Sequence, residues 1–227
     1  MKSRTNDAYK NTSQAAHMEG IVARWYTRQR SSADQLAAVR ASAAHLAAGL
    51  RPKADILEVA PGPGFLAVEL ARLGHTVSGL DASRSFVEIA RRHAREAGVG
   101  LDMRHGDAAA LPFADASFDL VACQAAFKNF GDPVGALNEM HRVLRPGGTA
   151  FVDDMNRDVT AAQVDEEVRG MGLGPLSSLM TKIPLLGLRR RAYSPARFRR
   201  LAADTAFRTC EIETHGITLQ VRLTKNA

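Results

Sequence analysis

The 227-residue sequence has no long apolar run. Its uninterrupted aliphatic stretches fall far short of the ~20 residues that a bilayer-spanning helix needs, so no membrane span is expected. Cysteine is scarce. Cys123 and Cys210 show neither metal-ligand nor disulfide spacing, which leaves no expected metal site and a reducing, cytoplasmic compartment as the expected setting. The polar opening MKSRTNDAYKNTSQ lacks the apolar core of a signal peptide. Internal repeats and low-complexity tracts are also missing. One absence is local: from Val168 to Ala203 there is no Asp or Glu, while Arg169, Lys182, Arg189, Arg190, Arg191, Arg197, Arg199 and Arg200 all fall there. The rest of the chain holds 22 basic residues (30 less these eight) against 24 acidic ones, so the net charge of +6 belongs to one segment. Such a segment can meet phosphates, an acidic substrate or a membrane surface, or it can be a solvated helix face.

What is present is the makeup of a globular domain, 45% hydrophobic and 24% charged, in a chain long enough to bury a full core. Residues 33–49 have helical periodicity and stop at a glycine. After them strand-like and helix-like stretches alternate: ADILEVA, GFLAVELARLG, HTVSGLD, SRSFVEIARRHAREAG, GLDMRHGD, SFDLVACQ, DPVGALNEMHRVLR and GGTAFVDD. Strands separated by helices imply right-handed parallel crossovers and a sheet covered on both faces, an α/β doubly wound architecture. CEIETHGITLQVRL differs: it reads as two strands about a His-Gly turn, which adds an antiparallel hairpin last.

Doubly wound sheets bind ligands at the carboxyl ends of their strands. Here the first strand runs into APGPG, with Gly62 and Gly64; the second ends at Asp81, 17 positions past Gly64. The third is followed by Gly106 and Asp107, the fourth ends at Gln124, and the fifth ends at Asp153 and Asp154. Glycines in the first turn let a ligand lie against the backbone. A carboxylate ending the second strand can accept from both hydroxyls of a ribose, and one after the third can accept from an adenine amine. The set describes an adenosine-containing cofactor, although Asp81 alone could equally cap the helix that follows it. Gly62-Pro-Gly64-Phe-Leu-Ala67 also fits the G-x-G-x-x-A pattern of nicotinamide dinucleotides. Against that, Pro61 and Pro63 remove donors where a pyrophosphate would want them, and Glu58 would repel phosphate but suit a cation. S-adenosylmethionine carries an ammonium and a sulfonium and no phosphate.

ILEVAPGPGFLAVEL, VSGLDAS, HGDAAALPFADASFDLVACQAAF and EMHRVLRPGGTAFV resemble the successive motifs of class I S-adenosylmethionine-dependent methyltransferases, in the small-molecule branch that includes the ubiquinone/menaquinone methyltransferase-like enzymes. The resemblance covers roughly residues 50–155. It implies a Rossmann-like seven-stranded sheet of order 3-2-1-4-5-7-6, closed by the antiparallel hairpin. It also implies that Glu58 and the turn of Ala60, Pro61, Gly62 and Gly64 hold the methionine part of the cofactor. Asp81, with Ala82 beside it, takes the ribose hydroxyls; Asp107 and the Ala108 amide read adenine; Gln124 lies near the sulfonium; Tyr26 approaches the methionine moiety. Ala60 departs from the family, which usually has its first glycine there. Residues 1–50 form a helical cap over the cofactor, and 51–227 the methyltransferase domain, with 156–205 as an insertion covering the acceptor. Met18, Phe127, Lys128 and Tyr193 are candidates for contact with the acceptor, and Asp153 and Asp154 for orienting it. His17 is the first candidate for a base, since a neutral imidazole titrates near neutral pH.

The expected activity is in-line transfer of the methyl group to a small-molecule O-, N- or C-nucleophile. The alternatives are an RNA or other macromolecular methyltransferase using the basic 168–203 window, and a repurposed, non-catalytic fold. CQAAFKNF after the fourth strand lacks the Asn-Pro-Pro-aromatic and Pro-flanked cysteine signatures of nucleic-acid methyltransferases, so no nucleic-acid partner is expected. Monomer and homodimer both remain open.

Overall fold

The computed structural model describes residues 18–170, 182–183 and 185–226. Seven strands form one sheet: β1 (Asp55–Val59), β2 (Thr76–Asp81), β3 (Asp102–His105), β4 (Phe118–Gln124), β5 (Leu144–Met155), β6 (Glu211–His215) and β7 (Thr218–Thr224). Their order is β3-β2-β1-β4-β5-β7-β6. β1 to β5 run parallel, and β7 runs antiparallel to both β5 and β6. This is the order and the terminal hairpin expected from the motifs.

The described helices are α1 (Gly20–Gln29), α2 (Ala33–Ala47), α3 (Phe65–Arg72), α4 (Arg84–Ala97), α5 (Pro133–Val143), α6 (Ala161–Gly170) and α7 (Pro195–Ala203). Their starts follow local chemistry. The side chains of Ser32, Ser83, Asp132 and Ser194 accept from the backbone N–H of Gln35, Phe86, Gly135 and Arg197, and Pro133 and Pro195 stand at first positions, where a missing N–H costs nothing.

The central strands are buried on both faces, and side-chain alternation sorts their residues. Ile56, Leu120, Ala122 and Phe151 pack with Ala43 and Leu46 of α2 and with Leu66, Ala67 and Leu70 of α3. Leu57, Val121, Cys123 and Val152 pack with Leu137 and Met140 of α5 and with Phe198 and Leu201 of α7. Cys123 is a small core residue, its thiol pushed up by burial.

Two boundaries differ from the sequence expectation. The helix expected through Arg145 stops at Val143, and β5 begins at Leu144, because Pro146 disfavours helix in the residue before it. Within the expected covering insertion, α7 is an integral core element through Phe198, Leu201 and Ala202, while α6 joins Met155, Val159 and Ala192 in a separate apolar cluster. Residues 171–181 of that insertion lie outside the described residues. No described helix is long and apolar enough to cross a membrane.

Candidate active site

The turn after β1 is left-handed at three positions, Ala60 (φ 57°), Gly62 (φ 55°) and Gly64 (φ 77°). The two glycines do different work. A Cβ on Gly64 would sit 2.6 Å from the Ala90 Cβ, so its bareness lets α3 and α4 close on one another. A Cβ on Gly62 would meet nothing within 4 Å: this backbone faces open space. Ala60 donates its N–H to the Leu80 carbonyl at 2.8 Å and so ties the turn to β2. Its methyl group occupies a backbone region that costs an L-residue roughly 1–2 kcal/mol.

Glu58 and Asp81 flank this turn. Glu58 lies on the α2–α3 side of the sheet, paired with Ala122 and Gly79 on the adjacent strands. It is 3% exposed, and its Oε2 has no hydrogen-bond partner. Burial pushes its carboxyl up to about 8, against the lowering effect of the Ala67 amide, with the nearby Asp81 raising it further. A buried, partnerless carboxylate oxygen beside a bare turn fits a cationic ligand group and does not fit a phosphate. Asp81 is also buried. Its Oδ2 accepts from the Gly62 N–H at 2.9 Å and its Oδ1 from the Ser83 N–H at 2.8 Å. It therefore shapes the turn. It is not the cap of α4: Ser83 is, accepting from the Phe86 N–H at 3.1 Å.

Farther along the strand ends, Asp107 is exposed and its Oδ1 accepts from the Ala109 N–H at 2.9 Å, which holds Ala108 in a tight turn. The Ala82 carbonyl meets His105 Nε2 at 3.1 Å. Gln124 donates through Nε2 to Ser42 Oγ of α2 at 2.7 Å, so this side chain pins α2 across the end of β4. Gln124, Asp153 and Gln220 are in register on β4, β5 and β7 and make a polar row on that same side of the sheet. Gln220 Nε2 lies 3.4 Å from Asp153 Oδ2. Burial raises the Asp153 carboxyl to about 6, with Gln220 lowering it and Asp154 adding to the rise.

The expected acceptor contacts are placed differently. Phe127 is 1% exposed and packs against Phe130, Tyr193 and Phe198, and Tyr193 is buried with it. Lys128 is buried too: Nζ donates to Asp154 Oδ1 at 2.6 Å and to the Ala125 carbonyl at 2.5 Å, and its N–H donates to Asp154 Oδ2 at 2.9 Å. These three belong to the side of the sheet opposite Glu58, where Phe127 and Tyr193 pack in the core and Lys128 pairs with Asp154. Asp154 is committed there as well. The strand's alternation thus separates it from Asp153. Met18 and Tyr26 are half-buried against Phe86 and Ile89 of α4. His17 lies outside the described residues.

Several anchoring residues went unread in the sequence. Ser83 sits where an N-cap is expected before a helix, a legible signal. Ser42 and Gln220 carry no signal, since only the fold brings them to Gln124 and Asp153.

Residues 57–152 match the family model described as "Methyltransferase domain". The chain is 37% identical over 111 residues to the ubiquinone biosynthesis O-methyltransferase of Ruegeria pomeroyi, covering 49% of this chain and 43% of that protein. To the demethylmenaquinone methyltransferase of Thermus thermophilus it is 42% identical over 115 residues, 50% of this chain and 52% of that one. The chain thus spans about half the length of the curated relatives it matches. A putative S-adenosyl-L-methionine-dependent methyltransferase from Methanococcus maripaludis superimposes with a TM-score of 0.69 at 18% identity, over 90% of this chain and 94% of that one, which speaks for the fold. The 3-2-1-4-5-7-6 sheet and the Gly-rich turn flanked by two buried carboxylates thus accompany a methyltransferase-domain match over residues 57–152, and in fold the chain is similar to S-adenosylmethionine-dependent methyltransferases.

Proposed function

We propose that this protein transfers the methyl group of S-adenosylmethionine to a small-molecule acceptor. The observation that carries the reading is Glu58 Oε2, buried and without a partner beside the open backbone of Gly62. In this reading Glu58 takes the cofactor's ammonium, Gly62 and Pro61 lie against its methionine part, Asp81 and Ala82 meet the ribose, and Asp107 with the Ala108 amide meets adenine. Gln124 and Tyr26 border the site. When bound, the cofactor supplies an electrophilic methyl group on a sulfonium. The protein's part is to align the acceptor's nucleophile with it and to exclude water. Asp153 is the group we assign to receive an acceptor proton, because it is the carboxylate at the end of β5 on the Glu58 side. The relatives named for ubiquinone biosynthesis and for demethylmenaquinone favour a quinone-type acceptor. The domain division we retain is 1–50 as a cap and 51–227 as the methyltransferase domain.

Use of the basic window for RNA is disfavoured by the contacts its side chains already make. Lys182 pairs with Asp165 at 2.5 Å, Arg189 donates to the Val159 carbonyl at 3.0 Å, and the Arg197 guanidinium lies over the Tyr193 ring. Of the three successive arginines, Arg189 turns inward while Arg190 and Arg191 stay exposed.

Titration calorimetry with S-adenosylhomocysteine and with NAD tests the reading. S-adenosylhomocysteine is expected to bind and NAD not to. Glu58→Gln removes a charge-assisted contact of ~1.5–3 kcal/mol, roughly tenfold or more in affinity. Tighter binding of NAD, or unchanged affinity in Glu58→Gln, would overturn it.

A further inference from the structure

Helix α1 presents an apolar and positively charged face that nothing in the described structure covers. It docks through Ala23 and Thr27, which are buried. At ~100° per residue, Ile21, Trp25 and Arg28 fall on the opposite side from Ala23, with Val22 and Arg24 on the flanks. Ile21 is 77% exposed, Val22 54% and Trp25 60%. The other large exposed apolar residues among those described are Leu73, Ile183 and Leu188, on other segments. Scattered single residues of this kind are ordinary, but three on two successive helical turns are a patch.

The patch carries charge of one sign. Arg24, Arg28 and Arg30 are exposed, and no acid occurs from Gly20 to Arg30. The neighbouring carboxylate, Glu19, is engaged elsewhere: it accepts from the N–H groups of Arg84 and Ser85 and from Ser85 Oγ. The helix is also held in orientation. Gly20 N–H donates to Ser85 Oγ at 2.8 Å, Ser83 Oγ donates to the Met18 carbonyl at 2.7 Å, and Tyr26 meets Phe86 edge to face. Rolling α1 to bury Ile21 and Trp25 would break all three contacts.

We propose that α1 is a surface anchor for an anionic lipid bilayer, with Ile21, Val22 and Trp25 entering the boundary between headgroups and acyl chains and Arg24 and Arg28 meeting lipid phosphates. A short helix with Trp and aliphatic residues on one face and arginines beside them is the makeup of a helix that lies in that interface. Arginine stems can rest on apolar surface while their heads reach the phosphates, and indole favours a position between apolar and wet surroundings. Nucleic acid would satisfy the arginines but leave the three apolar side chains without a partner, so the bilayer is the occupant that uses the whole face. The inference stands independently of the methyl-transfer reading.

Trp25 is the protein's single tryptophan, so its emission reports this helix alone. The full chain is mixed with vesicles of phosphatidylglycerol and phosphatidylcholine, and with phosphatidylcholine alone, and followed by fluorescence and co-sedimentation. A blue shift and co-sedimentation with the anionic vesicles are expected, weakening as salt rises. Ile21→Glu and Arg28→Glu are each expected to lower binding at least tenfold with an unchanged thermal melt, since both side chains are exposed. Four results would overturn the proposal: no association with anionic vesicles; association that Ile21→Glu leaves intact, which would move the contact to another basic segment; tryptophan emission already blue and unquenchable by acrylamide in the free protein, which would mean that protein covers the face; or RNA displacing the vesicles through the same arginines.

Discussion

Ala60 shows how one methyl group records a departure from a family pattern. The turn after β1 requires a left-handed residue at this point, and Ala60 adopts φ 57°. Glycine would remove a strain of roughly 1–2 kcal/mol and lose about half of that gain to its freer unfolded chain. Ala60→Gly is therefore expected to stabilise the protein by about 0.5–1 kcal/mol, read as a rise in the thermal midpoint, with the sheet unchanged. Glu58 makes the opposite kind of prediction, one of pH. Its carboxyl is raised from the ordinary 4.5 to about 8 by burial. A raised acid favours the folded state when protonated, so its contribution is complete below the unfolded value and is lost as pH rises through the folded one. Stability of the protein should decline across that window, and Glu58→Gln should flatten the decline in melts taken from pH 4.5 to 8.5. If Glu58 meets an ammonium, cofactor binding near neutral pH also releases a proton, seen as a dependence of the calorimetric heat on the buffer's ionisation enthalpy.

Among the elements, α4 connects the cofactor side to the N-terminal helices. Its first turn is capped three times: by Ser83 Oγ to the Phe86 N–H, and by the two Glu19 carboxylate oxygens to Arg84 and Ser85. Ser83 Oγ in turn donates to the Met18 carbonyl. Removing this hydroxyl costs a cap of ~1 kcal/mol and frees the start of α1. Ser83→Ala should therefore lower the thermal midpoint and speed amide hydrogen exchange in α1 and the first turn of α4, leaving the β6–β7 hairpin protected as before. Equal loss of protection in the hairpin would mean that α1 is not a separable unit. On the other face of the sheet, the charge of Lys128, a candidate acceptor contact by residue type, is paired with Asp154 and holds the turn after β4 against the end of β5.

For the whole molecule, the consequence of the proposed site is linkage. A ligand that binds only the folded state at about a hundred times its dissociation constant adds ~2.7 kcal/mol. For a chain of this size each 1 kcal/mol moves the thermal midpoint by roughly 2–4 °C. Saturating S-adenosylhomocysteine should raise the midpoint by about 5–10 °C and NAD should not move it. Glu58→Gln should lose most of that rise. The sheet itself is fastened by the long β5, which pairs with β4 along one edge and with β7 along the other, so the cofactor half and the hairpin half should melt together in a single transition.

The succession of strands and helices, the antiparallel end and the strand-end residues were legible in the sequence, because periodicity, Gly-Pro turns and acidic strand ends are local signals. Which strand-end residue faces which side was not legible. Asp153 and Asp154 are adjacent and chemically alike, yet the pleat sends one towards the Glu58 side and the other into a buried pair with Lys128. Gly62 and Gly64 look interchangeable in the motif; one faces open space and the other Ala90, and only the approach of α4 distinguishes them. Phe127 and Tyr193 are aromatic residues 66 positions apart, and their burial together depends on α7 returning to the core. Local chemistry determined the elements and the turn; the tertiary structure decided which groups are spent on packing and which are left to meet a ligand, because that choice rests on contacts between residues far apart in the chain.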